Sequence, residues 1–302
     1  MHQQPKGNAM NVFITGATGW IGSATVDELL ATGHQVTGLA RSDDAAKALE
    51  AKGATALRGD LDDLDSLRRG ATGADAVVHL ANKHDFGPES DRAERAAVET
   101  MAEALVGTGK PFVVANGLSG VVEGRAALET DIGPQESRGD SENLALSYVD
   151  RGVRTVIVRF APSVHGTGDW GFVAFVADAA RRRGVSGYIG DGSTRWAAVH
   201  RSDAARLIRL GLEKAPAGTR MHAVAEESVS TREIAEALGR ALGLPVVPVD
   251  PAAAGEHFGF IAGFFQLDMY ASSARTRKLL GWSPTGPTLV EDILAGAYGS
   301  AS

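Results

Sequence analysis

The chain has 302 residues, 44% of them hydrophobic and 22% charged, with a formal net charge of −7 and no cysteine. That length and composition suit a globular protein with a large core, built as one extended domain or a domain with a lobe. The acidic balance argues against a nucleic-acid or anionic-membrane partner, and the missing cysteines exclude disulfides, thiolate nucleophiles and cysteine metal sites.

Residues 1–10 lack the apolar core of a signal peptide and read as a disordered tail. No apolar run is long enough to span a bilayer, so a cytoplasmic protein without a membrane partner is expected. Asn11-Val-Phe-Ile-Thr15 then supplies the apolar run of a buried parallel strand, and glycines follow at 16, 19 and 22. Ala24, Leu29 and Leu30 give an apolar helical face that Gly33 stops. Strand, glycine turn and helix in that order are the context that a dinucleotide-binding fingerprint requires. In that reading Gly16 permits the tight turn, Gly19 lets backbone N–H groups approach a pyrophosphate, and Gly22 lets the helix pack on the strand. Thr18, Trp20 and Ile21 complete the loop, and the phosphates sit at the helix N-terminus.

Strands at 34–40, 53–59, 74–81, 110–116 and 153–160 alternate with helices at 44–51, 63–72, 91–108 and 137–151. That alternation predicts an α/β, Rossmann-type doubly wound parallel sheet with right-handed crossovers. The stretch 117–134 reads as loop, and Ala161–Gly168 has the Gly/Pro character of a ligand-facing loop. Beyond it come a helix at 171–183, a strand near Tyr188, a helix from Ser202 and a strand at 219–225. A helix at 231–242, a strand at 246–249, a helix around 252–264 and a last helix at 272–280 follow. Residues 11–170 therefore read as the cofactor-binding core. Residues 171–302 read mainly as a smaller substrate lobe, with about 199–225 returning to the core.

At the end of the second strand Ala40 is followed by Arg41 and Ser42, with no acid before Asp43. An acid here would hold the ribose 2′-OH of NAD, whereas a guanidinium and a hydroxyl suit the 2′-phosphate of NADP. NADP(H) is therefore the expected cofactor, with Asp43 as the residue that would restore NAD binding.

As a set, Thr15-Gly-Ala-Thr-Gly-Trp-Ile-Gly22, Gly59-Asp-Leu61, Val78-His-Leu-Ala81, Val158-Arg-Phe-Ala-Pro162 with Val164-His-Gly166, Val199-His-Arg-Ser-Asp203 and Leu280-Gly-Trp-Ser-Pro284 form one ordered pattern. The chain resembles the extended short-chain dehydrogenase/reductases, the NAD-dependent epimerase/dehydratase family, over roughly residues 11–295. The resemblance implies that Asp60 contacts adenine with Leu61 beside it, and that Leu80, Ala81 and Asn82 line the nicotinamide ribose and pyrophosphate.

The family's catalytic set does not carry over. It needs a Ser or Thr after the fifth strand and a Tyr-x-x-x-Lys on the next helix, where the tyrosine exchanges a proton with the substrate oxygen. Here Gly117 stands at the serine, Arg138 at the tyrosine and Glu142 at the lysine, and no Tyr-x-x-x-Lys occurs anywhere in the chain. The chain reads as an atypical member. His84 and His165 follow the fourth and sixth strands and are candidate proton donors, since histidine titrates near neutral pH. Asn116 suits a cofactor contact, and Arg138 with Glu142 reads as a salt bridge. Arg195 sits roughly where sugar-nucleotide enzymes bind phosphate. Asp203 reads as a helix cap, and His79 as a satisfied core histidine. Trp170, Trp196, Phe172 and the Phe258–Phe265 cluster read as core, with some of them lining an apolar cleft. No metal site is expected.

The leading expectation is an NADP-dependent oxidoreductase that reduces a carbonyl or imine of a small, largely apolar substrate. The alternatives are a non-catalytic NADP(H)-binding sensor or partner-binding module, and an epimerase/dehydratase-type isomerase or lyase. The oligomeric state stays open.

Overall fold

The strand that opens the fingerprint lies inside the central sheet. β1 (Asn11–Thr15) pairs in parallel with β2 (Gln35–Ala40) on one side and β4 (Ala76–His79) on the other. The computed structural model describes residues 9–83, 87–134 and 138–299. The first eight residues of the expected tail and His84 lie outside them. Met10 is backbone-paired, with its carbonyl accepting from Gln35 N–H at 2.9 Å, so the ordered chain begins before residue 11.

Between the first strands run α1 (Trp20–Ala31), α2 (Asp43–Ala51), β3 (Thr55–Arg58) and α3 (Leu64–Gly73). After β4 come α4 (Pro88–Leu105), β5 (Pro111–Gly117), α5 (Arg138–Ser147), β6 (Arg154–Phe160) and β7 (Ser163–His165). Then follow α6 (Phe172–Arg183), β8 (Ser186–Ile189), β9 (Arg195–His200), α7 (Arg201–Lys214), β10 (Thr219–Ala223) and β11 (Glu226–Ser230). The chain ends with α8 (Thr231–Leu242), β12 (Val246–Val249), α9 (Ala254–Phe258), α10 (Ala262–Phe265), α11 (Ala274–Leu280) and α12 (Leu289–Leu294).

Seven parallel strands form the main sheet in the order β10-β6-β5-β4-β1-β2-β3. The order reverses between β1 and β4, and a sheet of this kind binds ligands outside its carboxyl ends at that switch point. Alternation along β1 divides the core. Val12 and Ile14 pack with Val26 and Leu29 of α1, while Phe13 packs with Leu67, Met101 and Phe112 on the other face. Burial on both faces explains why these strands read as continuous apolar runs. A separate cluster around Trp196, Phe258 and Phe265 is built on a three-stranded sheet β11-β9-β7 and the pair β12-β8.

The second half departs from expectation at several points. The loop after β6 contains β7, which pairs with β9, and neither strand was expected. β11, Glu226-Glu-Ser-Val-Ser230, is too polar to signal a strand, and α12 was missed. The expected helix at 252–264 is broken into short turns, with Gly259 at φ +68° ending α9. Asp203 is not the cap of α7. His200 caps it by accepting from Ser202 N–H, while Asp203 is fully buried and accepts from Thr285 and Gly286 N–H and from Arg206. Among the described residues no helix is long and apolar enough to cross a membrane.

Candidate active site

The glycine turn sits at the switch point and is built by close approach. Gly16 has φ +69°, and a Cβ there would lie 2.7 Å from Ala81 N, so no other residue fits without a shift of backbone. A Cβ on Gly22 would stand 1.9 Å from Gly16 O, which lets α1 pack on the turn. Gly19 is different. It is the N-cap of α1, makes no side-chain cap bond, and would meet only Gly16 O at 3.2 Å. The first turn of α1 carries no acidic residue, and its leading N–H groups lack intrahelical partners. Bare donors and the positive end of the helix dipole make an anion cradle there.

The neighbouring strand ends are held by a buried relay. Thr15 Oγ1 accepts from Ala81 N–H at 3.3 Å and is hydrogen-bonded to His79 Nδ1 at 2.6 Å. His79 Nε2 then faces Glu94 Oε1 at 3.4 Å. His79 thus fixes the Leu80–Ala81 backbone against Gly16.

A cleft of about 1640 Å³ runs over this cradle. It exceeds the roughly 300–1,000 Å³ of an ordinary small-molecule pocket and has room for a dinucleotide beside a substrate. Gly16, Thr18, Gly19, Trp20, Ile21 and Gly22 line its floor, and Arg41, Ser42, Asp60 and Leu61 line one end. Leu80, Ala81, Asn82 and Asn116 line the middle. The fold thus brings these candidates together along one cleft.

Their side chains are held in different ways. Arg41 is exposed, and among the described residues no carboxylate pairs with its guanidinium. Asp43 instead lies 3.4 Å from Arg58 Nη1, while Arg58 Nη2 donates to the Arg41 carbonyl at 3.3 Å. Ser42 caps α2 by accepting from Ala45 N–H at 3.2 Å, which keeps its hydroxyl proton available as a donor. Asp60 accepts from Asp62 and Asp63 N–H, both at 2.9 Å, and shapes the turn at this end.

His84 lies outside the described residues. His165 is fully buried, because alternation along β7 turns Val164 to the cleft and His165 away from it. Its Nδ1 donates to Asp292 at 2.6 Å, and burial lowers its pKa. This corrects the expectation that His165 faces the ligand.

The family's tyrosine–lysine positions are also changed. Glu142 is 1% exposed and accepts from Arg159 Nε at 2.9 Å and Nη2 at 2.6 Å, from Arg220 Nε at 2.7 Å and from Asn116 Nδ2 at 3.1 Å. The Arg138 side chain, the partner expected for Glu142, lies outside the described residues. Arg195 is turned to Asp268, 3.4 Å away, and stacks 3.7 Å over Tyr270, outside the cleft lining.

The other end of the cleft is aromatic. Trp170, Phe172, Phe175, Phe260, Phe264 and Met269 line it, and Trp170 is 56% exposed. The reading of Trp170 and Phe172 as core is corrected here, whereas Trp196, Phe258 and Phe265 are buried. Phe172 and Phe264 stand 4.7 Å apart, and Phe260 lies 5.6 Å from Phe264. Trp20 ties this end to the cradle by donating to the Val164 carbonyl at 2.7 Å, with Arg201 stacked 4.0 Å over its ring. Ser119, expected beside Asn116 after the fifth strand, lines the cleft, as do Asp169 and Lys83, which were not singled out from the sequence. The run Gly166-Thr-Gly-Asp-Trp-Gly171 was the available signal, since three glycines around an acid and a tryptophan mark a shaped loop.

Residues 16–123 match a family model described as NAD(P)H-binding. An uncharacterized protein of Saccharomyces cerevisiae is 45% identical over 95% of this chain and 98% of its own. A 4-hydroxy-2-methyl-3-oxo-4-farnesyl-3,4-dihydroquinoline-1-oxide ketoreductase of Stigmatella aurantiaca is 25% identical, over 83% of this chain and 80% of its own. In fold, the chain is similar to a Thermus thermophilus UDP-glucose 4-epimerase in complex with NAD. The TM-score is 0.74 at 22% identity, covering 96% of this chain and 98% of that one. The chain belongs to the extended short-chain dehydrogenase/reductase family, and a nicotinamide dinucleotide is its cofactor.

Proposed function

We propose that this family member is an NADP(H)-dependent oxidoreductase that reduces a carbonyl, or an imine, of a small and largely apolar substrate. The observation that carries the reading is one continuous cleft, from the bare start of α1 beside Arg41 to the aromatic wall at Trp170 and Phe264. Residues 11–170 would hold the cofactor, and 171–302 would supply most of the substrate wall.

The cradle suits the cofactor in detail. Gly16 and Gly19 leave space where a Cβ would intrude, and the start of α1 offers N–H donors to the pyrophosphate. Arg41 and Ser42 would bind the 2′-phosphate, and the Asp43–Arg58 pair takes away the acid that would prefer a 2′-OH. Asp60 and Leu61 would border the adenine, with Leu80, Ala81, Asn82 and Asn116 along the nicotinamide half. When bound, the nicotinamide supplies the hydride.

The chain's own residues then orient the substrate and keep water from it. The aromatic wall favours apolar groups, and no arginine at that end lines the cleft among the described residues. With Arg195 held by Asp268 and Tyr270, a sugar diphosphate lacks its expected anchor. The ketoreductase name of one relative agrees with net reduction.

The test is consumption of NADPH by pure protein against apolar aldehydes and ketones, with nucleotide sugars in parallel. The reading expects turnover with the first group only. The Glu142–Arg159–Arg220 cluster at the position of the family's lysine favours a second reading, a cofactor-responsive module without turnover. It expects tight binding of NADPH and no consumption with any carbonyl.

A further inference from the structure

Reduction of a carbonyl leaves an oxygen that must gain a proton, and the family's tyrosine is absent. At the aromatic end of the cleft, among the described residues, Asp169 is the ionisable side chain in the lining. It sits on the loop between β7 and α6, where its N–H donates to the Gly166 carbonyl at 3.1 Å. That loop folds against the start of α1, and a Cβ on Gly168 would stand 4.0 Å from the Trp20 ring. The carboxyl group is thereby set between the cradle and the aromatic wall.

Its two oxygens have separate donors. Oδ1 accepts from Gly171 N–H at 2.7 Å, and Oδ2 accepts from the Tyr298 hydroxyl at 2.6 Å. Tyr298 is 4% exposed, and its own carbonyl accepts from Arg181. We propose that Asp169 is the acid that protonates the substrate oxygen, with Tyr298 as its positioning residue.

This assignment rests on the reductase reading. As hydride arrives at the carbonyl carbon, the C=O π pair moves to oxygen, the Asp169 O–H bond breaks, and the alcohol O–H forms. The resulting carboxylate is held by Tyr298 O–H and Gly171 N–H, and solvent returns the proton. The charged surroundings suit the task. Burial raises the carboxyl above its usual range and Asp292 adds to that, while Tyr298, Gly171 and Arg201 pull it down. Tyr298 stays protonated, because burial and Asp169 hold its phenol far above the usual value.

The test compares wild type, Asp169→Asn and Tyr298→Phe. Asp169→Asn should lose about 10²–10⁴-fold in kcat with NADPH affinity unchanged, the usual contribution of a general acid. An acid works only while protonated, so wild-type kcat/KM should fall as pH rises through its pKa. Tyr298→Phe removes a bond that favours the carboxylate, so its descending limb should move to higher pH. A residue that merely braced the loop would lower the rate without moving that limb. Infrared titration of the cofactor-free protein gives an independent reading. A carboxyl band missing in Asp169→Asn should titrate at the pH of the wild-type limb and shift upward in Tyr298→Phe.

Wild-type kcat and an unmoved limb in Asp169→Asn would overturn the assignment and leave the reductase reading intact. Absence of that carboxyl band would overturn it as well. A wild type that consumes no NADPH with any carbonyl overturns the reductase reading and the assignment together.

Discussion

Asn116 at the end of β5 donates its side-chain amide to Glu142 on α5 across 3.1 Å. The strand end and helix that carry serine and lysine in the family are here joined by a carboxylate locked between two guanidiniums. Arg159 is wholly buried and grips Glu142 through Nε and Nη2. His222 completes the setting. Its Nδ1 donates to the Ser272 carbonyl at 2.8 Å, which leaves Nε2 to accept from Arg159 Nη1 at 3.5 Å. The position of the family's lysine is here a structural joint between β5, α5, β6 and β10.

Glu142→Ala should therefore act on stability first. It strands a buried arginine, and breaking a buried pair from one side costs about 3–5 kcal/mol. A clear drop in the thermal midpoint is expected, with the residual folded protein still binding NADPH. A midpoint equal to wild type would show that the cluster does not hold these elements together.

Arg41→Ala should separate the two cofactors. Loss of a charge-assisted bond to phosphate is worth about 1.5–3 kcal/mol, or roughly 10–100-fold in affinity. Calorimetric titration should show that loss for NADPH and almost none for NADH. Equal losses for both would remove Arg41 from the 2′-phosphate site.

Gly16→Ala should abolish cofactor binding. The positive φ costs about 1–2 kcal/mol for any other residue, and the new Cβ meets Ala81 N at 2.7 Å. The Gly16–Ala81 contact and the relay through Thr15 and His79 would have to move together. Retained NADPH affinity would mean that the turn is more pliant than its packing indicates.

Stability should fall on mild acidification, before the carboxylates titrate. Burial lowers the pKa of His165 and His222 in the fold below the ordinary 6.5. The unfolded chain thus takes up protons first, and stability rises with pH across that interval. It should be complete above about pH 7 and lost progressively below about 6.5, as pH falls toward the folded values. Thermal midpoints against pH check this, and His165→Gln should flatten the decline. A midpoint unchanged between about pH 7 and 5 would contradict it.

The cofactor half of the site was legible because its demands are local. Gly16, Gly19 and Gly22 are spaced by the turn itself, and Arg41 sits where β2 must end, so strand periodicity and glycine spacing located them. The substrate half is assembled from distant segments. Asp169 and Trp170 meet Phe260 and Phe264 only through folding of the lobe, and no spacing in the sequence links them. His165 was misplaced for a related reason. A three-residue strand decides which way it faces, and Ser163-Val164-His165 is too short to be told from a loop. Asp203 resembled a cap because it stands near a helix start, but its partners at 285 and 286 lie far along the chain.

The most direct trial of the account is transfer of label from NADPH carrying deuterium at the reactive carbon, with an apolar carbonyl as acceptor. Net reduction predicts one deuterium on the carbinol carbon of the product and a matching amount of NADP. An unlabelled product, or substrate recovered as its epimer with no NADPH consumed, would contradict the assignment of this cleft to carbonyl reduction.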